Sequence, residues 1–304
     1  MWSILQLEFM QHALAAGMLA ALACGVIGPL VVVNRLVFLA GGVAHAAFGG
    51  IGLAFYFGFA PTAGALSFSL VSAMVMGSIT SGRRQRSDTI VGVLWAVGMA
   101  LGVVLIDLTP GYNVDLMSYL FGSILAVPAS DLPVMAALDL LIVLVIGLFY
   151  RHYLAISYDE EFARVAGVPV RLLYFVLLAL IAVSVVMLIR IVGLVLVIAL
   201  LTIPAYMAEQ RTGSLWTMMM VSAALAMVFT IAGLALAVAA NLSSGASIIL
   251  VAAGCFFLDL VVTRLHQGMG RPSGAAAEPK ASIRSGRRRD QAQTAGEDRH
   301  VSSM

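Results

Sequence analysis

Charge is scarce in this 304-residue chain: Asp, Glu, Lys and Arg make up 11% of it, against 62% hydrophobic residues. Soluble domains are roughly a quarter charged and half apolar, so the composition excludes a soluble globular protein. Only two cysteines occur, Cys24 and Cys255. Both fall in apolar runs without metal-ligand spacing and read as small buried fillers. No G-x-x-x-x-G-K-[ST] loop, H-E-x-x-H or G-x-S-x-G is present, which removes the usual means of hydrolysing ATP or cutting a peptide. The chain also lacks the rich set of intramembrane acids that proton- or sodium-driven carriers use. If it moves a solute uphill, the energy comes from a partner. No nucleic-acid partner is expected.

What is there is apolar sequence in long continuous runs. A helical span needs about 20 mostly apolar residues, and nine candidates lie at roughly 10–33, 36–58, 61–80, 89–107, 132–150, 170–189, 191–208, 215–240 and 242–263. Short alternating segments would mark a β-barrel, and these are not alternating. The fold class is therefore all-α: a polytopic membrane helix bundle of about nine transmembrane helices. The least defined boundary lies beside Arg190, where two runs nearly touch. Residues 1–11 lack a basic n-region and a cleavage site, so the first run is expected to remain as a span.

Between the fifth and sixth runs lies a polar island, residues 151–171, which reads as one short helix over about 157–167. Ser157 is placed to cap it, with Glu160 completing a capping box. Gly167 and Pro169 supply the stop. Glu160 and Arg164 are four apart and can pair, while Tyr158, Phe162 and Val165 are free to touch something apolar. A simple connection between spans needs none of this, so the island reads as a docking element for another protein. If it faces the cytoplasm, Arg190 is the only one of the 17 Lys and Arg residues left outside. That charge bias places the N-terminus outside and the C-terminus in the cytoplasm. Residues 1–266 form the transmembrane domain, and 267–304, poor in large apolar residues, are expected to be a disordered cytoplasmic tail. Its Arg287, Arg288 and Arg289 either touch anionic membrane lipid or stay solvated.

Four stretches carry a resemblance. Phe38 to Leu53, FLAGGVAHAAFGGIGL, is similar to the pattern FLGDALSHAVLPGVAL. Asp88 to Leu94 is like ED-A-IGI at a span entrance. Tyr119 to Leu125, YLFGSIL, is close to YLFGNIL and is followed by the island with Asp159, Glu160, Glu161, Phe162, Ala163 and Arg164. Val192 to Ala205 is like VGxLLVxALLxIPAA. In this order the chain resembles, from about residue 10 to residue 263, the membrane permease subunits of bacterial ABC importers for zinc, manganese and iron. The resemblance implies a homodimer in the inner membrane, one cytoplasmic ABC ATPase subunit per copy, and an extracytoplasmic metal-binding protein that delivers the ion. The chain itself is then a non-catalytic subunit with no tightly bound cofactor, and a divalent metal ion is its cargo. The island corresponds to the coupling helix that sits in a groove of the ATPase, with Asp159, Glu160, Glu161, Phe162, Arg164 and Gly167 as its residues.

The path of the ion has sparse candidates. His45 matches a histidine of the family pattern and is a common ligand type for such metals; the plainer reading is a hydrogen bond to a backbone carbonyl. The family's Asp four residues earlier is Gly41 here. Asp139, within the fifth run, either fixes helix packing or lines the path. Asp107, Asp115 and Asp131 flank or occupy the external segment 108–131, where they either draw cations to an outer mouth or are solvated loop residues. Glycines 41, 42, 49, 50 and 52 around His45, with Gly98 and Gly102, allow close helix packing or a broken helix with freed carbonyls. Within transport the alternative is a permease for an iron chelate or cobalamin; from another class it is an intramembrane enzyme using His45 and Asp139.

Overall fold

The computed structural model describes residues 7–80, 87–110, 122 and 124–269. Each apolar run is a helix in it. In chain order the helices are α1 (Glu8–Val33), α2 (Val37–Phe57), α3 (Pro61–Thr80), α4 (Ser87–Asp107), α5 (Asp131–Leu148), α6 (Tyr150–Tyr158), α7 (Glu160–Val165), α8 (Val170–Val192), α9 (Leu194–Glu209), α10 (Leu215–Ala240) and α11 (Ser244–Met269), with a 3₁₀ turn at Ile124–Ala126. Eight of them are long and apolar enough to cross a membrane. The ninth apolar helix, α9, has 16 residues, about 24 Å at 1.5 Å per residue. Two compact units divide the chain, Met1–Phe257 and Leu258–Met304. The tail expected beyond 267 lies outside the described residues after Met269.

Packing follows from where the small residues sit. Between helices in lipid there is no hydrophobic gain, so close van der Waals contact and interhelical hydrogen bonds drive association. α1 buries Ala13, Ala16, Gly17, Ala20, Ala21, Cys24, Gly25 and Gly28 and is flanked by α5, α9 and α10. A Cβ at Gly28 would lie 2.5 Å from the Leu201 carbonyl oxygen of α9. α2 packs against α3 and α4; a Cβ at Gly52 would fall 2.5 Å from the Gly102 carbonyl. The glycine cluster thus serves close packing, and the broken-helix alternative is not what forms, because α2 is continuous from Val37 to Phe57.

The ambiguous boundary beside Arg190 resolves at Gly193, which alone separates α8 from α9. Its φ of 88° and ψ of 155° lie in a region essentially restricted to glycine. The amide of Gly193 still donates to Ile189 O at 3.0 Å, and its carbonyl accepts from Val197 N at 3.2 Å. No loop is needed, so the sixth and seventh runs touch. We predict that Gly193→Ala lowers stability by about 1–3 kcal/mol, read as a fall in the detergent unfolding temperature. An unchanged midpoint would mean that the turn tolerates a side chain.

Candidate functional site

The polar island folds differently in detail from its sequence reading. Ser157 does not cap a helix: it lies in the last turn of α6, and its Oγ accepts from Asn34 Nδ2 at 3.1 Å. The α6 helix persists this far because Tyr153 turns into the bundle, 2% exposed, and donates from its hydroxyl to Leu173 O at 3.3 Å. Burial pushes the Tyr153 phenol up to about 12, so it remains a neutral donor at any physiological pH. The cap falls to Asp159 instead, whose Oδ1 accepts from Phe162 N at 3.0 Å. An aspartate caps as well as a serine, and with Phe162 at the third position there is no reciprocal capping box.

The resulting α7 helix is short and stopped at both ends. Glu160 and Glu161 occupy its first turn, where acids suit the positive end of the helix. Arg164 Nη2 meets Glu160 Oε1 at 2.9 Å. At the far end Val168 N bonds Ala163 O at 3.0 Å and Gly167 N bonds Arg164 O at 3.2 Å, with Gly167 at φ 82°. This is a Schellman closure. Ala163 faces inward and is fully buried, whereas Phe162 is 67% and Val165 88% exposed, with Tyr158 at 74% beside them. All six island residues singled out from the sequence are therefore assembled at one tip. Phe162, the one large apolar residue among them, and its neighbours Val165 and Tyr158 are exposed on a segment too polar to lie in lipid, an apolar patch of the kind that marks interaction surfaces.

His45 sits near the middle of α2. Its Nδ1 lies 2.7 Å from Gly41 O, and since a carbonyl only accepts, Nδ1 carries the proton. The imidazole is then the tautomer whose Nε2 lone pair is available, and a backbone carbonyl on the other nitrogen is the usual support of a metal-binding histidine. The ring stacks on Trp95 of α4, centroids 4.0 Å apart, and Trp95 Nε1 donates to Met99 Sδ at 3.1 Å. A Cβ at Gly41 would sit in ordinary contact, 4.0 Å from Ile198 Cδ1. Among the described residues no three His, Cys, Asp or Glu side chains gather as a metal cluster.

Asp139 lies on α5 and His45 on α2; both helices pack against α1 and α8, and the His45 ring faces Trp95 of α4. Asp139 is 5% exposed, and its Oδ2 has no hydrogen-bond partner. Asp107 ends α4 and Asp131 begins α5, so both border the same end of the bundle. Asp115 lies outside the described residues, as do Tyr119, Leu120, Phe121 and Ser123 of the third motif. Near the junction of α2, α3 and α8 lies a cavity of about 320 Å³ whose lining includes Ala47, Ile51, Pro61, Thr62 and Val186. Sequence reasoning missed Trp95, Tyr153 and the Asn34–Ser157 contact. Only an asparagine in a three-residue turn, at 34, hinted at the last.

The profile described as the ABC 3 transport family matches residues 6–263. An uncharacterised membrane protein of Synechocystis sp. is 54% identical over 86% of this chain and 92% of its own length. The manganese transport system membrane protein MntC of Halalkalibacterium halodurans is 34% identical over 87% of this chain and 93% of its own. Among solved structures, PsaBC from Streptococcus pneumoniae in complex with Fab aligns with a TM-score of 0.76 at 29% identity, covering 84% of this chain and 92% of that one.

A buried polar group without a partner destabilises a bundle, and its replacement by a small apolar residue is neutral or favourable. We therefore expect Asp139→Ala to hold the unfolding midpoint or raise it. A drop of more than about 3 °C, roughly 1 kcal/mol for a protein of this size, would instead assign Asp139 to packing.

Proposed function

We propose a function from one premise: the chain belongs to the ABC 3 transport family, and it is the membrane-spanning subunit of an ATP-driven importer of a divalent transition-metal cation. Manganese is the first cargo to test, because relatives at 34% and 31% identity are manganese transport system membrane proteins; zinc and iron belong to the same class. The reading extends to a homodimer in the bacterial inner membrane, N-terminus outside and C-terminus inside, as the distribution of basic residues supports.

The observation that carries the mechanism is the α7 tip. Its capped ends fix the helix, and its exposed Phe162 and Val165 offer a separate ATPase an apolar foothold flanked by Asp159, Glu160, Glu161 and Arg164. Nucleotide binding and hydrolysis in that partner push α7, and the bundle alternates between outward- and inward-open states. At the other end Asp107 and Asp131 border the outer mouth, joined by Asp115 from the sequence. Carboxylates there attract divalent cations and face the extracytoplasmic binding protein that delivers them. His45 takes the ion through Nε2 while Gly41 O holds the opposite nitrogen. Asp139, the unpartnered intramembrane acid, contributes a second, separate charge along the path. The ion is cargo throughout, and no resident cofactor is involved.

A chelate or cobalamin permease is the weaker alternative, since relatives at 30% identity and above include manganese and metal transport proteins. The intramembrane-enzyme reading is the weaker one because the relatives are named as transport-system membrane proteins.

Two measurements test the proposal. Burying a large apolar side chain is worth about 1.5–3 kcal/mol, so Phe162→Ser with Val165→Ser should cut copurification of the ATPase about tenfold or more while the chain stays in the membrane. Wild-type stoichiometry would remove α7 as the dock. His45→Ala should reduce uptake of radioactive manganese about tenfold with the amount of assembled complex unchanged; normal uptake would leave His45 as a packing partner of Trp95.

A further inference from the structure

Three side-chain hydrogen bonds joining separate parts of the bundle gather at the end that carries α7. Asn34 Nδ2 donates to Ser157 Oγ at 3.1 Å, Tyr153 donates to Leu173 O at 3.3 Å, and Thr80 Oγ1 lies 3.2 Å from the Tyr174 hydroxyl. Together they fasten α6 to the α1–α2 turn, α6 to α8, and α8 to α3. The first has an unusual position. Ser157 is two residues from Asp159, the cap of α7, and Asn34 is three residues from Val37, the start of α2. His45 follows eight residues into that rigid helix, about 12 Å at 1.5 Å per residue.

Both ends of this contact are built to hold. The two Nδ2 protons of Asn34 go to Leu30 O at 2.8 Å and to Ser157 Oγ, so the amide is fixed in orientation. Arg35 adopts φ 58°, a left-handed conformation that costs a non-glycine residue about 1–2 kcal/mol. It is closed by Leu36 N to Val31 O at 2.8 Å and Arg35 N to Val32 O at 3.0 Å. The joint between α1 and α2 is thus short and hydrogen-bonded, suited to passing on a displacement rather than absorbing it. On the α6 side, Tyr153 is the buried residue of the helix, and Ser157 is one turn beyond it. Beside Ser157 a groove of about 170 Å³, bordered by Val33, Leu154, Tyr158 and Leu215, leaves the tip of α6 room to move. Tyr153 is placed as a fulcrum and Ser157 as the free end of a lever.

We propose that the Asn34–Ser157 hydrogen bond is the pin through which displacement of α7 reaches α2 and the imidazole of His45, making Asn34 and Ser157 positioning residues for transport. The proposal rests on α7 as the ATPase dock. Spatial continuity alone does not establish coupling, so the test is a double-mutant cycle on the assembled complex. The chain with its ATPase is reconstituted into lipid vesicles with the binding protein outside, and manganese uptake and ATP hydrolysis are measured together. A side-chain hydrogen bond of ordinary strength corresponds to about a 3- to 10-fold effect.

Asn34→Ala and Ser157→Ala are each expected to lower the manganese carried per ATP about 3- to 10-fold. The double variant should be no worse than either single one. Ser157→Thr, which keeps the hydroxyl, should retain the wild-type ratio, an outcome that loss of packing would not produce. An unchanged ratio in the Ala variants, additive losses, or a Thr variant as impaired as Ala would each overturn the pin. The Phe162→Ser, Val165→Ser variant is run alongside. If it loses the ATPase while Asn34→Ala keeps the wild-type ratio, the pin falls and the dock stands. If it retains the ATPase, the dock falls and the pin with it.

Discussion

A hydrocarbon solvent gives helices no reward for burying apolar side chains against one another, so this bundle depends on how closely its backbones approach. α1 and α2 supply that closeness. Along α1 Gly25 meets Ala223 of α10 and Gly28 meets Leu201 of α9, and along α2 Gly50 and Gly52 meet Gly64 of α3 and Gly102 of α4. A single methyl at several of these places would collide with a neighbouring backbone. The other spans can be large-residued and loosely specified on their outer faces because these two are not. The same constraint explains why His45 could be placed mid-bundle: small neighbours let α4 come near enough for Trp95 to cover its ring.

The spans were legible because length and hydropathy decide them without reference to partners. The α5, α8 and α10 helices fall where their apolar runs fall. The island helix was legible as an element and misread in its boundary. Ser157 and Asp159 are both good caps, and sequence alone weighs them equally. What separates them is tertiary: Tyr153 anchors α6 in the bundle, α6 then runs on through Ser157, and Asp159 becomes the first residue free to adopt extended backbone. Gly193 was invisible for a related reason. A one-residue reversal leaves no polar stretch to read, only a glycine among many.

For the ion path the sequence offered residue types and no geometry. The pairing of Nδ1 with Gly41 O and the stacking on Trp95 give His45 a defined tautomer and a lone pair to offer. Asp139 stands apart on α5, buried and unpartnered. These groups lie on separate helices, and on the proposed path each would meet the cargo singly. A metal enzyme would gather its ligands, as three or four from one pocket. Here the described residues hold no such cluster.

The bared aromatic and valine of α7 also carry a cost for the cell. If α7 is the dock proposed above, a subunit synthesised without its motor would display a sticky apolar tip to water, open to chaperones, proteases and promiscuous association. On that proposal, balanced production of the two proteins, or rapid removal of the orphan, follows from the shape of six residues.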